Sequence, residues 1–117
     1  MAIIVKTESP RTLLAAIKKA IDEDAIQTWD YDSDGDFIHT ADQWTKRAWL
    51  RPSIHEGVLV FNIIPPRSRN ISRVVYGIYH GRFIEMLATH FDKRFTEAAA
   101  TALPRGADRV KSQTAGV

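Results

Sequence analysis

The residues best suited to chemistry form an acidic run at positions 30–37, Asp-Tyr-Asp-Ser-Asp-Gly-Asp-Phe. Alternating carboxylates, a glycine at the sixth position and an apolar eighth residue match the first part of an EF-hand calcium loop. The match ends there, because the twelfth position, which should hold a bidentate glutamate, is Ala41. The pattern predicts either a weak calcium site or a solvated hairpin turn in which Asp and Gly serve the turn geometry. The metal ligands would be Asp30, Asp32, Asp34 and Asp36.

The second candidate is a group of three basic residues, Arg67, Arg69 and Arg73. A helix that begins at Ser72 would direct its first backbone N–H groups toward the same region. Arg47 and Arg51 could extend this basic patch. Trp44 or Trp49 could then stack on a base. The group predicts a nucleic-acid-binding surface, and its alternative is a solvated basic face.

The histidines do not form a catalytic or metal-binding pattern. They are His39, His55, His80 and His90, and no two of them are four residues apart. The sequence also has no Gly-rich phosphate loop, HExxH motif or nucleophile elbow. It has no cysteine, so disulfides and thiolate ligands are excluded. We therefore expect a protein that is not an enzyme and that needs no cofactor, calcium being the one candidate.

A mixed order of strands and helices must position these candidates. The β-branched run Ile3–Val5 predicts a short buried strand. Ser9 followed by Pro10 is typical of a helix start, and apolar residues at helical spacing predict an amphipathic helix from Pro10 to Glu23. Asp34-Gly35 between two β-favouring runs predicts a hairpin with a type I′ turn. Four further strands are predicted at residues 26–31, 37–40, 47–54 and 58–64.

The segment that begins at Ser72 is predicted to be a long helix that closes the core and continues to about Leu103. From Phe83 to Ala98 the apolar residues recur at helical spacing. From Val74 to His80 the sequence is apolar nearly all round, which fits three alternatives: a helix buried on two sides, a strand, or a helix with a contact surface for another chain. That surface would comprise Val75, Ile78, Tyr79, His80 and Arg82.

Two further features of this segment carry alternatives of their own. His80 projects into the apolar stripe, so it is either a tuned functional histidine or a structural one bonded to a backbone carbonyl. Gly77 and Gly81 lie four residues apart with Ala88 on the same side. Small residues at this spacing predict the close approach of another backbone, most simply that of the first helix.

The resulting order, β-α-β-β-β(-β)-α, predicts an α+β fold in which two helices pack on one face of an antiparallel meander sheet. Residues 1–103 would form a single domain, and the polar residues 104–117 a flexible C-terminal tail. The chain has 117 residues, of which 44% are hydrophobic and 26% charged, so it can bury a core without disulfides. The short apolar run near Met1 predicts neither a signal peptide nor a membrane segment, hence a cytoplasmic protein.

Charge is unevenly distributed along the chain. Residues 1–45 carry four Lys or Arg against nine Asp or Glu, whereas residues 46–117 carry twelve against five. Opposite charges on the two halves could attract each other within the fold or mark two surfaces with different partners.

Three stretches together resemble small uncharacterised bacterial α+β proteins that have no assigned activity. They are Trp29–Asp32, Gly35–Phe37 and Tyr79–Leu87. The resemblance covers most of the chain up to Ala102 and implies a bacterial cytosolic protein. The first expectation for function is a non-enzymatic interaction module that binds a protein partner or a second copy of itself. Nucleic-acid binding and a weak calcium site are the alternatives.

Overall fold

The structure is a computed structural model that describes residues 2–67, 70–103 and 108. Within these residues the chain forms six strands and two helices. The strands are β1 (Ala2–Lys6), β2 (Trp29–Tyr31), β3 (Phe37–His39), β4 (Trp49–His55), β5 (Val58–Ile64) and β6 (Glu97–Ala100). The helices are α1 (Pro10–Asp22) and α2 (Arg73–His90). The predicted flexible tail, residues 104–117, lies outside the described residues apart from Asp108.

All six strands belong to one antiparallel sheet in the order β2-β3-β4-β5-β1-β6. The predicted α+β class is therefore confirmed. Strands β2 to β5 follow one another as a meander, and β1 then pairs with the far side of β5. The first strand of the chain thus lies inside the sheet, between β5 and β6.

Cross-strand pairing places the large apolar residues on one face of the sheet. Ile3 lies opposite Phe61, and Leu50 lies opposite Ile63 and Phe37, so these side chains point to the same side. The same core includes three residues of α1 and six of α2. They are Leu13, Ile17, Ile21, Val75, Tyr79, His80, Phe83, Met86 and Leu87, of which His80 is the polar member.

Phe83 lies at the centre of this core. Its ring centroid is 4.6 Å from that of Phe61, 4.9 Å from that of Trp29 and 5.6 Å from that of Phe37. Burial of one such side chain contributes about 1.5–3 kcal/mol, and edge-to-face ring contacts add to it. Phe83 therefore holds α2 against β2, β3 and β5 at once.

The prediction for α1 is confirmed to within one residue at its end. Pro10 occupies the first turn, where its missing N–H costs nothing. Leu13, Ile17 and Ile21 recur every four residues and are all buried. The hairpin between β2 and β3 is also present, but Gly35 is its one residue with positive φ, at 83°. A type I′ turn needs two such residues, so the predicted turn type is wrong.

The prediction for the end of α2 is wrong, because the helix stops at His90 and Glu97–Ala100 forms β6. Alanine and glutamate favour helices in isolation. Here, however, β6 pairs with the outer side of β1, which would otherwise be an unpaired edge. The helical spacing continued past His90 because Phe91, at the C-cap, and Phe95, in the following turn, still contact the core.

Residues 74–80 are helical, which settles the choice between helix and strand. Their second apolar side is covered by the loop before β4, since the Tyr79 hydroxyl donates a hydrogen bond to the carbonyl oxygen of Trp44. The predicted close approach at Gly77 and Gly81 is wrong. Both glycines are exposed, and an added Cβ at either would meet nothing within 4 Å.

Asp108, which follows β6 in the sequence, contacts β5 in the middle of the sheet. Its carboxylate accepts hydrogen bonds from Asn62 Nδ2 at 2.8 Å and from the backbone N–H of Ile63 at 3.2 Å. Asn62 and Asp108 are both buried. Asp108 thus satisfies two donors of β5, as buried polar groups require.

Candidate binding sites

The cationic cleft is a depression of about 560 Å³ between the loop before β4 and the start of α2. Its lining residues are Thr45, Lys46, Arg47, Pro66, Asn70, Ile71, Ser72 and Val75. Lys46 and Arg47 are exposed and form no ion pair with any described residue. Among the described residues no acidic side chain lines the depression. Its electrostatic character is therefore positive.

The start of α2 forms one wall of the cationic cleft. The side-chain oxygen of Ser72 accepts a hydrogen bond from the backbone N–H of Val75 at 3.2 Å, as predicted for an N-cap residue. The helix has eighteen residues, so its aligned peptide dipoles place partial positive charge at this end. Backbone and side chains thus favour an anion at the same place.

The loop that carries Lys46 and Arg47 is held against α2 by Tyr79. The Tyr79 side chain is fully buried, and its hydroxyl donates to the carbonyl oxygen of Trp44. Burial raises the pKa of Tyr79 above its ordinary value, although backbone N–H groups of Ala48 and Arg47 act against this. The phenol therefore stays protonated at physiological pH and keeps this hydrogen bond to the loop.

Lys46 adopts a backbone conformation that non-glycine residues rarely use, with φ at 60°. Such conformations cost about 1–3 kcal/mol and persist where the surrounding structure enforces them. Here the bend is fixed on both sides, because Thr45 N donates to Ala41 O at 2.8 Å and Arg47 N donates to Trp44 O at 3.3 Å. The loop thus presents two consecutive cations at the cleft.

The predicted basic residues divide between this cleft and other places. Arg67 and Arg73 are exposed and directly follow the lining residues Pro66 and Ser72. Arg69 lies outside the described residues. Arg51, which the sequence placed in the same patch, belongs to the acidic hairpin instead. Lys46 was missed, although its position next to Arg47 could have indicated it.

The acidic hairpin comprises residues 30–36, and the guanidinium group of Arg51 in β4 pairs with it. Arg51 Nε lies 2.9 Å from Asp36 Oδ1, and Arg51 Nη2 lies 2.8 Å from Asp36 Oδ2. This two-pronged geometry occupies both carboxylate oxygens. The hydrogen bonds that Arg51 donates to Asp36 raise the pKa of Arg51. Partial burial lowers this pKa, and the negative charges of Asp36, Asp34 and Asp32 raise it further.

Two other carboxylates of the hairpin, those of Asp30 and Asp32, accept hydrogen bonds from backbone groups. Asp32 Oδ1 accepts the N–H groups of Asp34 at 2.9 Å and Asp36 at 3.0 Å, and Asp30 Oδ1 accepts the N–H of Tyr31 at 2.8 Å. One ligand oxygen from each of Asp32, Asp34 and Asp36 fits within 4.8 Å, whereas Asp30 is not part of that group. The local hydrogen bonds account for the hairpin, and calcium binding stays a prediction.

The predicted protein-contact surface on α2 is largely inside the molecule. Val75, Tyr79 and His80 are buried, Ile78 is half-buried, and Arg82 is exposed. Tyr79 contacts the rings of Trp29 and His39, so it is a core residue. These five side chains therefore do not share one accessible face. The exposed apolar side chain at the start of the helix is instead that of Val74, which is 62% accessible.

His80 makes the kind of contact expected of a structural histidine. Its Nδ1 lies 2.7 Å from the carbonyl oxygen of Tyr76, one turn earlier in α2. Its ring packs edge-on against that of Tyr76, with centroids 4.9 Å apart. His39 is held similarly, by Thr28 O at 2.7 Å from Nδ1 and by stacking on Trp29. Neither histidine lines the cationic cleft.

A second depression, of about 420 Å³, lies between the start of α1 and the turn before β6. Lys93 and Arg94 line it together with Glu8. The acidic side chain reduces the positive charge there, and none of the predicted basic residues borders it. The cationic cleft is therefore the stronger candidate for an anionic ligand.

Comparisons with known proteins do not indicate a function: no protein-family model, curated protein or solved structure matches the chain. The resemblance to small bacterial proteins accordingly stays a prediction, as does the cytoplasmic location. Among the described residues no helix is both long enough and apolar enough to cross a membrane.

Proposed function

We propose that the protein is a non-enzymatic interaction module whose cationic cleft binds the phosphate backbone of a nucleic-acid strand. The observation that carries the proposal is the convergence of Lys46 and Arg47 on the N-terminus of α2, in a depression whose described lining residues include no acid. Arg67 and Arg73 add two exposed cations at its border. Phosphate contacts of this kind supply most of the affinity of sequence-independent binding.

The cleft, rather than the predicted surface on α2, is favoured because its side chains are accessible. Val75 and Tyr79 belong to the hydrophobic core, where they support the cleft, and Val75 also lines it. The acidic hairpin does not oppose the proposal, since Arg51 already neutralises Asp36 and none of the hairpin residues lines the cleft. Arg51 of the basic half and Asp36 of the acidic half thus attract each other within the fold, whereas Lys46 and Arg47 remain available to an anionic partner.

Fluorescence anisotropy with a labelled single-stranded RNA and with a short DNA duplex tests the proposal. Four phosphate contacts predict a slope of about −3 for the logarithm of the affinity against the logarithm of the salt concentration on a single strand. The double variant Lys46→Ala/Arg47→Ala should reduce that slope by about 1.4 and weaken binding to both probes.

The matched control is Arg11→Ala/Arg82→Ala, which removes two exposed cations that do not line the cleft. It should change the salt dependence much less than the cleft variant does. Absence of binding to either probe at low salt would overturn the proposal. Equal losses in the two double variants would also overturn it, because binding would then follow net charge alone.

A further inference from the structure

The outer edge of β6 has backbone groups that form no hydrogen bond with any described residue. Thr101 N donates to Ala2 O at 2.8 Å, and hydrogen-bonded pairs alternate along an antiparallel ladder. Ala99 and Glu97 therefore bond to β1, whereas the N–H and C=O groups of Ala98 and Ala100 point away from the sheet. No backbone or side-chain group in the described ranges bonds to them.

The side chains of β6 leave this edge accessible. Glu97, Ala99 and Ala100 are exposed, and Ala98 is half-buried. The strand contains no proline and no lysine, the residues by which natural edge strands commonly prevent further pairing. Its one charged residue is Glu97, at the start of the strand, where it forms an exposed ion pair with Lys6 at 3.0 Å.

We propose that β6 pairs in antiparallel fashion with β6 of a second copy of this chain, so that the two sheets become continuous. Pairing Ala98 of each copy with Ala100 of the other forms four backbone hydrogen bonds around a twofold axis at Ala99. A twofold interface of this kind uses the same residues from both copies and closes on itself. The proposal concerns a different surface from the cationic cleft.

A second copy suits the edge because of where the charge lies. With the axis at Ala99, Glu97 of one copy lies opposite Thr101 of the other, whose hydroxyl can donate to it. The two Glu97 side chains are then four residues apart, or roughly 14 Å along the strand. That distance exceeds the screening length of about 8 Å at physiological salt. Directly opposed side chains are otherwise alanines, which are small enough for the two strands to approach.

Sedimentation velocity of the full chain over a concentration series tests the pairing. The proposed interface between the two β6 strands buries backbone and small side chains. We therefore expect a weak dimer that forms as concentration rises. Ala99→Lys places two like charges directly opposite each other and should weaken dimerisation on the order of tenfold or more. Ala99→Glu should do the same. An equimolar mixture of the two variants should restore the dimer, because opposite charges then meet at the axis.

The matched control is Ala15→Lys, which introduces the same charge at an exposed position of α1 and should leave dimerisation unchanged. Ala100→Pro removes one outward N–H group without touching the bonds to β1, and it should also weaken the dimer. Thermal unfolding of each variant at low concentration verifies that the monomer is folded.

A wild-type chain that stays monomeric at every concentration would overturn the proposal. This holds even if β6 were then found to pair with a strand of another protein. A dimer that resists both charge substitutions and gains nothing from mixing them would overturn it as well. Loss of nucleic-acid binding in the cleft variants would leave it unaffected.

Discussion

β2 and β6 are both edge strands of the sheet, and they differ in what their outward backbone groups bond to. Because hydrogen-bonded and non-hydrogen-bonded pairs alternate between β2 and β3, the backbone N–H and C=O groups of Tyr31 point outward from the sheet. The N–H group of Tyr31 donates to the carboxylate of Asp30. The corresponding groups of Ala98 and Ala100 in β6 have no such partner among the described residues. The difference teaches that a side chain of the preceding residue can satisfy an outward N–H group, and that an alanine side chain cannot.

The two edges also differ in how they are anchored. The Tyr31 hydroxyl donates to Asp22 of α1 at 2.7 Å, and the Lys18 ammonium lies 5.4 Å from the centre of its ring. The acidic hairpin that follows is held by Arg51. β6 is anchored through β1, together with hydrogen bonds from Thr101 N and Thr96 N at its ends. Side-chain contacts therefore anchor the β2 edge, and backbone pairing anchors the β6 edge.

The largest expected effect is the loss of stability caused by Arg51→Met, which removes the contact that holds the acidic hairpin next to β2. The substitution leaves the buried Asp36 carboxylate without its partner, which costs 3–5 kcal/mol when both members of a pair are buried. Because 42% of the Arg51 side chain is accessible, we expect a smaller loss of about 2 kcal/mol in the free energy of unfolding. Urea denaturation of the two proteins measures it.

Asp36→Asn/Arg51→Met is the control for this experiment, since it removes the charge together with its partner and should recover part of the loss. An unfolding midpoint equal to that of the wild type in the single variant would contradict the prediction. A calcium titration followed by NMR then tests the metal hypothesis. A calcium ion would have to compete with Arg51 for the Asp36 carboxylate. Shifts confined to residues 30–36 on titration would support the calcium site, and an unchanged spectrum at millimolar calcium would rule it out.

An intermediate effect is expected from Asp30→Ala, which makes the β2 edge resemble that of β6. Loss of the side-chain acceptor should speed hydrogen exchange of the Tyr31 amide by roughly fivefold, the equivalent of one ordinary hydrogen bond. Asp42→Ala removes an exposed carboxylate outside the sheet and should leave this amide unchanged. In the wild type, rising concentration should slow exchange at Ala98 and Ala100 and not at Tyr31. Equal slowing of exchange at the amides of Ala98, Ala100 and Tyr31 would contradict the difference between the two edges.

The smallest effect concerns the phenol of Tyr31. The hydrogen bond to Asp22 raises the pKa of Tyr31 above 10, with a smaller contribution from burial. A raised pKa in the folded state stabilises the fold below about pH 10, and this contribution disappears as the pH rises through the folded value. Asp22→Asn should lower the pKa, as measured by ultraviolet titration with Tyr31→Phe identifying the signal. A titration curve that does not move would show that Asp22 is not the cause.

The sequence was sufficient for elements whose signals are local. The Ser-Pro start and four-residue spacing of α1 and the hairpin around Gly35 were found from short stretches alone. β6 could not be found in this way, because Glu-Ala-Ala-Ala favours a helix and no glycine or proline separates His90 from Thr96. Its strand character comes from β1, more than ninety residues earlier in the chain.

The candidate site was only partly predictable for the same reason. Arg67, Arg73 and Arg47 were selected by charge, and charge cannot tell which arginine has an acidic partner. Arg51 was therefore assigned to the wrong surface, since its contact with Asp36 depends on strand pairing. The burial of Val75 and Tyr79 likewise depends on the loop at Trp44, which folds back from thirty-five residues earlier.

The position of β1 inside the sheet has a consequence for synthesis. β1 is the first described element to leave the ribosome, yet its neighbours β5 and β6 begin at Val58 and Glu97. An apolar strand, Ile-Ile-Val, must therefore wait unpaired until more than half of the chain has been made. Contacts of such long sequence separation slow folding and leave aggregation-prone surface exposed in the meantime. A nascent chain arrested before Val58 should consequently be the species that most requires a chaperone.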